Sequence, residues 1–397
     1  MNTVVKYLIV FTISFGALLW LLEFVSGQIL ELKTNQESSQ AEEYASSDIA
    51  LYSDYQWAAE FFSGKSENPN PNHSYFPYTM WTTKNWKSKL VNFDSNGVRL
   101  TFNQAKNDKK VYRIYMFGGS TLANGGVPDE YTISSNISKI LSESHLSSKY
   151  RFEVNNFGSG AYSSTQELIR LIFEAQRGFE AYGKPDLVIF YDGVTDVFSG
   201  IYLERPGIHD AYDRIKMRYD DINKFYLLKL KESITKRSNT YRLINYFFGR
   251  NEEDDRYFEN KDLNYQKYAI DSVKIYKQNT DIVKSLGSQY GFESIFFLQP
   301  HIFISSGLTS YDNNIRNTWI MERPRMAEAY DIGYTQFKKL TDDEIMIDLT
   351  NIFDESQKPI YRDYAHVGPY GTYLVAESMA AYILTNIESI QWDITKK

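Results

Sequence analysis

Two short segments far apart in the chain carry residue types that cooperate in acyl chemistry: Phe117-Gly118-Gly119-Ser120-Thr121-Leu122 and Asp363-Tyr364-Ala365-His366. A serine hydroxyl is a weak nucleophile until a base takes its proton. An imidazole serves as that base when an acceptor on its other ring nitrogen fixes its tautomer and orientation. The i to i+3 spacing of Asp363 and His366 lets both side chains converge from one turn, with the carboxylate behind the ring. Of the five histidines, only His366 stands in an Asp-x-x-His context directly before a long helical pattern, which runs from Gly371 to about Ile387. The pattern implies Ser120 as nucleophile, His366 as its base and Asp363 as the group that orients the base.

These residues need elements to hold them. Val111 to Phe117 is apolar and β-prone, as expected of a buried parallel strand. The two glycines after it are expected to allow backbone angles that a Cβ would resist, turning the chain sharply and exposing Ser120. A helix over residues 132–143 then follows. Strands are predicted to end near Phe117, Phe157, Tyr191, Leu298 and Leu349. They alternate with helices, among them one over 164–182 that buries Leu168, Leu171, Ile172, Ala175 and Phe179 at 3.6-residue spacing. Such alternation predicts the α/β class, a parallel sheet with helices on both faces, and places each strand-following loop at one sheet edge. Gln299-Pro300-His301 leaves the sheet at that edge after Ser294 to Leu298, so Gln299 and His301 are candidate substrate contacts, although no second base is required.

With these segments in place, residues 110–385 resemble the SGNH hydrolase superfamily, the GDSL-type esterases, whose four sequence blocks carry Ser, Gly, Asn and an Asp-x-x-His. The resemblance implies a three-layer α/β/α fold on a parallel sheet of about five strands. It places the nucleophile at Ser120 and the rest of the triad at Asp363 and His366. It also implies that main-chain N–H groups of Ser120 and of the second block, Asn155 to Ser164, bind the oxyanion. Counting forward from Asn155 puts the second donor at Gly160, and counting back from Gln166 puts it at Ala161. The third block departs from the pattern, because Asp192-Gly193-Val194-Thr195-Asp196 has Thr195 where the family has asparagine. A threonine hydroxyl donates one hydrogen bond but reaches less far, and losing one oxyanion donor costs about 2.7 to 4 kcal/mol in the barrier. Three outcomes stay open: the hydroxyl replaces the amide, the enzyme is slow or specialised, or hydrolysis has been lost.

The activity this implies is an exported serine esterase acting on small acyl esters, O-acetyl groups in particular, of a cell-envelope or secreted polysaccharide. The alternatives are an O-acyltransferase that passes the same acyl-enzyme to a sugar hydroxyl, and a non-catalytic polysaccharide-binding or assembly protein that retains the fold. The expected partners are an acylated carbohydrate, proteins of envelope-polysaccharide assembly and a membrane.

Composition bounds these readings. The chain has 397 residues, 43% hydrophobic and 23% charged, which suits a globular protein with one large domain and an accessory region. A net charge of -7 argues against nucleic acid, since phosphate binding needs a concentrated basic surface. There is no cysteine, hence no disulfide or thiolate metal site, and no His/Asp/Glu grouping has zinc-ligand spacing, so no metal and no cofactor are expected. Aromatic residues make up 16% of the chain. Such a surplus suits either sugar-stacking surfaces or core filling.

The N-terminus carries a second signal. After Lys6, residues 7–22 are predominantly apolar and uncharged, and after Glu23 the apolar character resumes through Leu30. Residues 1–30 read as a retained transmembrane anchor with Glu23 near the far interface beside Trp20, or as a signal peptide cut near Val25-Ser26-Gly27. Lys6 before the segment and Glu31, Glu37, Glu42 and Glu43 after it place the catalytic part on the periplasmic or extracellular side of the inner membrane. Residues 31–50 form a polar, acidic stalk, 51–110 an N-terminal extension and 111–390 the catalytic domain with a helical insert at 198–268. The extension includes Trp81, a candidate substrate contact, and a predicted hairpin over Asn92 to Arg99 turning on Asp-Ser-Asn-Gly. It walls a substrate groove or plugs the sheet edge. The insert, with a helical stretch over 211–237, the aromatic run Tyr241 to Phe248 and the charged run Asn251 to Arg256, reads as a lid or a partner surface.

Overall fold

The structure, a computed structural model, describes residues 3–62, 72–103, 107–248 and 264–394. The chain opens with α1 (Thr3–Tyr52) and α2 (Ala58–Phe62), followed by the short strands β1 (His73–Phe76), β2 (Met80–Thr83), β3 (Trp86–Lys87) and β4 (Asn92–Phe93). Next come β5 (Lys110–Gly118), α3 (Ser120–Ala123), α4 (Ile133–Glu143), β6 (Tyr150–Asn156), α5 (Ser164–Gln176), β7 (Leu187–Asp192) and α6 (Val194–Val197). Helices α7 (Tyr212–Asp220), α8 (Ile222–Arg237) and α9 (Asn239–Phe248) follow. The chain closes with α10 (Tyr265–Tyr290), β8 (Glu293–Leu298), α11 (Ser310–Glu322), α12 (Pro324–Asp342), β9 (Ile347–Asp348) and α13 (Pro369–Ile394). Two compact units result, Met1–Asp48 with Ala211–Leu263, and Ile49–Asp210 with Asn264–Lys397.

The larger unit is built on five parallel strands in the order β6-β5-β7-β8-β9. The α/β class and the five-stranded parallel sheet agree with the sequence expectation. Successive strands lie on opposite sides of β5, so the sheet reverses direction beside that strand. Loops leaving its carboxyl end therefore open into the crevice where open α/β sheets hold ligands. Period-two alternation sorts the side chains of β5 between two cores. Ile114 and Met116 face an aliphatic layer with Leu122, Ile137, Val375 and Met379. On the other side Phe117 stacks on Phe157 at 4.9 Å and on Phe190 at 5.3 Å, and Phe190 stacks on Phe296 at 5.3 Å.

Two boundaries differ from expectation. The helix predicted over 164–182 stops at Gln176. Gly178 and Phe179 take φ of 64° and 58°, a conformation that ends a helix while still delivering Phe179 to the core. The hairpin predicted over Asn92–Arg99 is a tight turn closed by one bridge, Phe93 to Arg99. Its arms do not continue as a pair, because β4 pairs back with β3 and Arg99 bridges to Asn156 at the end of β6. The extension thus covers the sheet edge.

The smaller unit contains the first part of α1 together with α7, α8 and α9. Within α1, the stretch Thr3–Glu31 is long and apolar enough to cross a membrane, by length and composition. Of the insert expected over 198–268, residues 211–263 belong to this unit, whereas Ile201, Tyr202 and Tyr265 are buried in the larger one. The charged run Asn251 to Arg256 lies outside the described residues.

Arg99 ties the extension to the chain that follows β5. It is 1% exposed, and its Nε donates to Asp129 Oδ1 at 3.0 Å. Its Nη1 donates to the carbonyls of Ala123 (2.5 Å) and Asn124, and its Nη2 to that of Val127 (2.6 Å). Removing one member of a buried ion pair leaves the other charge without compensation. We therefore expect Arg99→Met to lower the unfolding free energy by about 3 to 5 kcal/mol in urea denaturation. A loss well under 1 kcal/mol would show that the tie is dispensable.

Candidate active site

Strand β5 ends at Gly118, and Gly119 leads into α3, whose first residue is Ser120. Neither glycine adopts the positive φ expected of them; what they supply is room. A Cβ on Gly118 would lie 2.8 Å from Leu122 Cβ and 3.0 Å from the Tyr191 carbonyl. On Gly119 it would lie 2.9 Å from Thr195 Oγ1 and 3.1 Å from the Tyr162 carbonyl. The turn is glycine-rich because the loops after β6 and β7 close directly over it.

Ser120 Oγ lies 2.8 Å from His366 Nε2, and His366 Nδ1 lies 2.7 Å from Asp363 Oδ2. With a carboxylate facing Nδ1, the ring carries its proton there and leaves Nε2 to accept from the serine. Asp363 Oδ1 accepts the main-chain N–H groups of Ala365 (2.9 Å) and His366 (2.8 Å), so the carboxylate is fixed by its own turn. Burial works to raise the Asp363 pKa, but the His366 ring and these N–H donors outweigh it and hold the carboxyl below its ordinary value. The turn is in turn pinned by Asp312, which is wholly buried at the start of α11. Asp312 Oδ1 accepts from the N–H groups of Ile360 (3.0 Å) and Tyr361 (2.8 Å).

A cavity of about 480 Å³ opens over this set, lined by Ser120, His366, Gly160, His73, Arg362 and Phe62, among others. Gly160, rather than Ala161, lines it. Ala161 takes φ of 60°, which swings the chain back toward α5. Thr195, on α6, is the neighbour that comes closest to the vacant Cβ position of Gly119, and its hydroxyl has no hydrogen-bond partner among the described residues. Both segments expected to supply oxyanion donors therefore border the serine turn.

Three other expected contacts are placed elsewhere. Trp81 holds the Gly160 loop, donating from Nε1 to the Gly160 carbonyl at 2.9 Å, and its ring meets Tyr162 and His209 edge-on. Gln299 is buried and accepts from Thr121 Oγ1 at 3.0 Å, steadying the residue after the serine. His301 is fully buried against Tyr334 (4.0 Å) and Tyr330 (5.0 Å), and its Nδ1 accepts from Phe303 N at 3.2 Å. Burial, with the charge of Lys338, lowers its pKa to about 3, which leaves it neutral. Gln299 and His301 point into the packed interior because α12 covers the end of β8.

Sequence reasoning passed over His73, Arg362 and Phe62, all on the cavity wall. Arg362 had a signal, being adjacent to Asp363. His73 and Phe62 had none, since they reach the cavity only through the path of the extension.

Beneath the Thr195 loop lie three buried carboxyls. Burial pushes Asp192 up to about 8, with the charge of Asp196 adding to it, and pushes Asp196 up to about 6. Burial and the charge of Asp192 hold Glu167 well above its ordinary value. Tyr276 donates to Asp192 Oδ2 at 2.9 Å and Ser164 to Asp196 Oδ1 at 2.7 Å, which satisfies part of the cluster without a cation.

No protein-family model matches the sequence, and no curated protein matches it. Among solved structures, the chain is similar to a member of the lipolytic G-D-S-L family from Veillonella parvula, at 10% identity and a TM-score of 0.34 over 67% of this chain and 94% of that one. It is also similar to the psychrotrophic esterase EstA from a Pseudoalteromonas species, at 11% identity and a TM-score of 0.33 over 70% and 98%. A third is an acetyl xylan esterase, at 12% identity and a TM-score of 0.30 over 68% and 99%.

The carboxyl cluster has a consequence for stability. A carboxyl whose folded pKa is raised favours folding most below its unfolded pKa, and that contribution is lost as pH rises through the folded value. For Asp196 the loss runs from about pH 4, the ordinary carboxyl value, to about pH 6, and for Asp192 from about pH 4 to about pH 8. Asp363, with a depressed pKa, acts in the opposite sense and only at lower pH. The melting temperature should therefore fall between about pH 4 and about pH 8 and level off above that, and Asp192→Asn should flatten the fall. Parallel wild-type and variant melts with the same slope would rule the cluster out as its source.

Proposed function

We propose that the chain is an SGNH-type serine esterase whose substrates are small acyl esters, O-acetyl groups of a cell-envelope or secreted polysaccharide in particular. The observation that carries this reading is the unbroken series Ser120–His366–Asp363, with contacts of 2.8 and 2.7 Å, opening onto a cavity large enough for an acylated sugar residue. Ser120 Oγ attacks the acyl carbonyl while His366 Nε2 takes the serine proton, and Asp363 stays ionised and stabilises the imidazolium. Main-chain N–H groups of Ser120 and Gly160, with the Thr195 hydroxyl, hold the oxyanion. Collapse of the tetrahedral intermediate breaks the C–O bond, and His366 returns its proton to the leaving sugar oxygen. Water then enters by the same route and releases the acid, or a sugar hydroxyl takes the acyl group instead. The helix Thr3–Glu31 anchors the chain in the inner membrane, with the catalytic unit on the periplasmic or extracellular side.

The test is turnover of an aryl acetate by the full chain in detergent, with and without an oligosaccharide acceptor. Ser120→Ala should lower kcat by about 10⁶-fold and Asp363→Asn by about 10⁴-fold. Thr195→Val should lower it by about 10²-fold if the hydroxyl serves the oxyanion. Acetylated acceptor in place of free acetate would make the enzyme a transferase. Turnover that survives Ser120→Ala would remove the esterase reading, and absence of turnover with every ester tried would favour a binding module.

A further inference from the structure

The geometry of the smaller unit points to a second membrane contact: we propose that α8, with the ends of α7 and α9 beside it, lies on a lipid surface of net negative charge. The inference rests on reading Thr3–Glu31 as a membrane-spanning helix. Ile222, Tyr226 and Leu230 recur every four residues and share one face of α8, with Leu227 next to them; all four side chains are exposed, as is Leu228 on the opposite side. Tyr219 at the end of α7 and Ile244 on α9 are exposed as well, at 82% and 52%. A run of large apolar side chains left in water marks a surface that something covers.

Charge identifies the cover. Residues 212–248 hold nine lysines and arginines against four aspartates and glutamates, in a chain whose net charge is -7. On a helical repeat, Lys224 and Lys231 border the apolar face of α8 on the Leu227 side. Lys229, paired with Glu232 at 2.6 Å, borders it on the Ile222 side. Long basic side chains flanking an apolar face can lay their stems on it and raise their charges to the phosphates, as interfacial helices do.

Position agrees with charge. Glu23 is the sole charged residue between Lys6 and Glu31. Its carboxylate accepts from Ser238 Oγ at 2.9 Å, from Asn239 N and from Thr240 N at 3.2 Å, at the junction of α8 and α9. Asn239 also packs against Gly27, where a Cβ would fall 2.9 Å from Asn239 Nδ2. The junction is thereby held at the level of Glu23, one turn from Trp20, where aromatic side chains mark a bilayer interface. With Lys224, Lys229, Lys231 and Arg237 along its length, α8 does not enter the hydrocarbon, and the surface is the position that covers its apolar face.

Because the chain has no cysteine, single-cysteine variants report cleanly. The full chain carrying an environment-sensitive fluorophore at Leu227→Cys, Leu230→Cys or Leu18→Cys is reconstituted into phosphatidylcholine vesicles with or without phosphatidylglycerol. The expected result at positions 227 and 230 is blue-shifted emission, larger with phosphatidylglycerol, and quenching by shallow doxyl lipid at least about twofold stronger than by aqueous iodide. Lys224→Glu with Lys231→Glu should reduce the dependence on phosphatidylglycerol. Iodide quenching at 227 and 230 with lipid quenching at 18 would overturn the proposal while leaving the membrane helix standing. Iodide quenching at all three positions would overturn both. Protection from iodide and lipid alike at 227 and 230 would assign the surface to a protein and overturn the lipid reading.

Discussion

A guanidinium with almost no exposure cannot persist without acceptors, and the acceptors of Arg99 all come from the seven residues Ala123 to Asp129. That stretch follows Ser120 directly, so the cation sets the path of the chain on the far side of that serine. The dependence is physical, because α3 has four residues and one turn of helix does not sustain itself. Tertiary contacts must hold the serine instead: close-packed glycines before it and the Arg99 tie after it. The histidine turn follows the same plan. There a buried carboxylate, Asp312, gathers two main-chain N–H groups just ahead of Asp363. One buried charge at the base of each loop brings Ser120 and His366, 246 positions apart, into hydrogen-bond contact.

The parts that sequence made legible are those written in contiguous residues. A strand followed by Gly-Gly-Ser fixes where a hydroxyl emerges, and Asp-x-x-His brings a carboxylate to its own imidazole whatever the rest of the chain does. The alternation of strands and helices likewise fixes the class of sheet. What stayed hidden depends on distant packing. Nothing local says that Gln299 turns toward Thr121, or that α12 seals His301 among tyrosines. Trp81 looked like a ring for a substrate and serves to brace the carbonyl of Gly160. Gly118 and Gly119 matter for their small size rather than for a positive φ, which neither adopts. Arg99 stood in view within the extension, but its partners lie some thirty residues on and only the folded chain identifies them.

The aromatic surplus finds its place in the same packing. Phe157, Phe117, Phe190 and Phe296 stack in a row across four neighbouring segments of the sheet, directly beneath its ligand-facing edge. Such a row fills the layer between sheet and helices with rigid, flat side chains of few rotamers, so the loops above it stand on a firm base. The rings that reach the cavity, Phe61, Phe62 and Phe93, come from the extension. The extension covers the sheet edge through Arg99 and Asn156 and also contributes side chains to the cavity wall.

Thr195 has an electrostatic setting that bears on the oxyanion role proposed for it. Thr195 stands between Asp192 and Asp196, with Glu167 buried beside them. If all three were ionised, their field would oppose an oxyanion forming next to Gly119, in a region where low polarisability makes charge repulsion strong. Burial instead raises all three, Asp192 to about 8, so that the cluster holds protons at neutral pH and its negative charge is reduced. In that state the hydroxyl of Thr195 meets little competition from charge beneath it. As pH rises through the Asp192 value, negative charge accumulates under the loop, and the barrier to forming an oxyanion should rise with it.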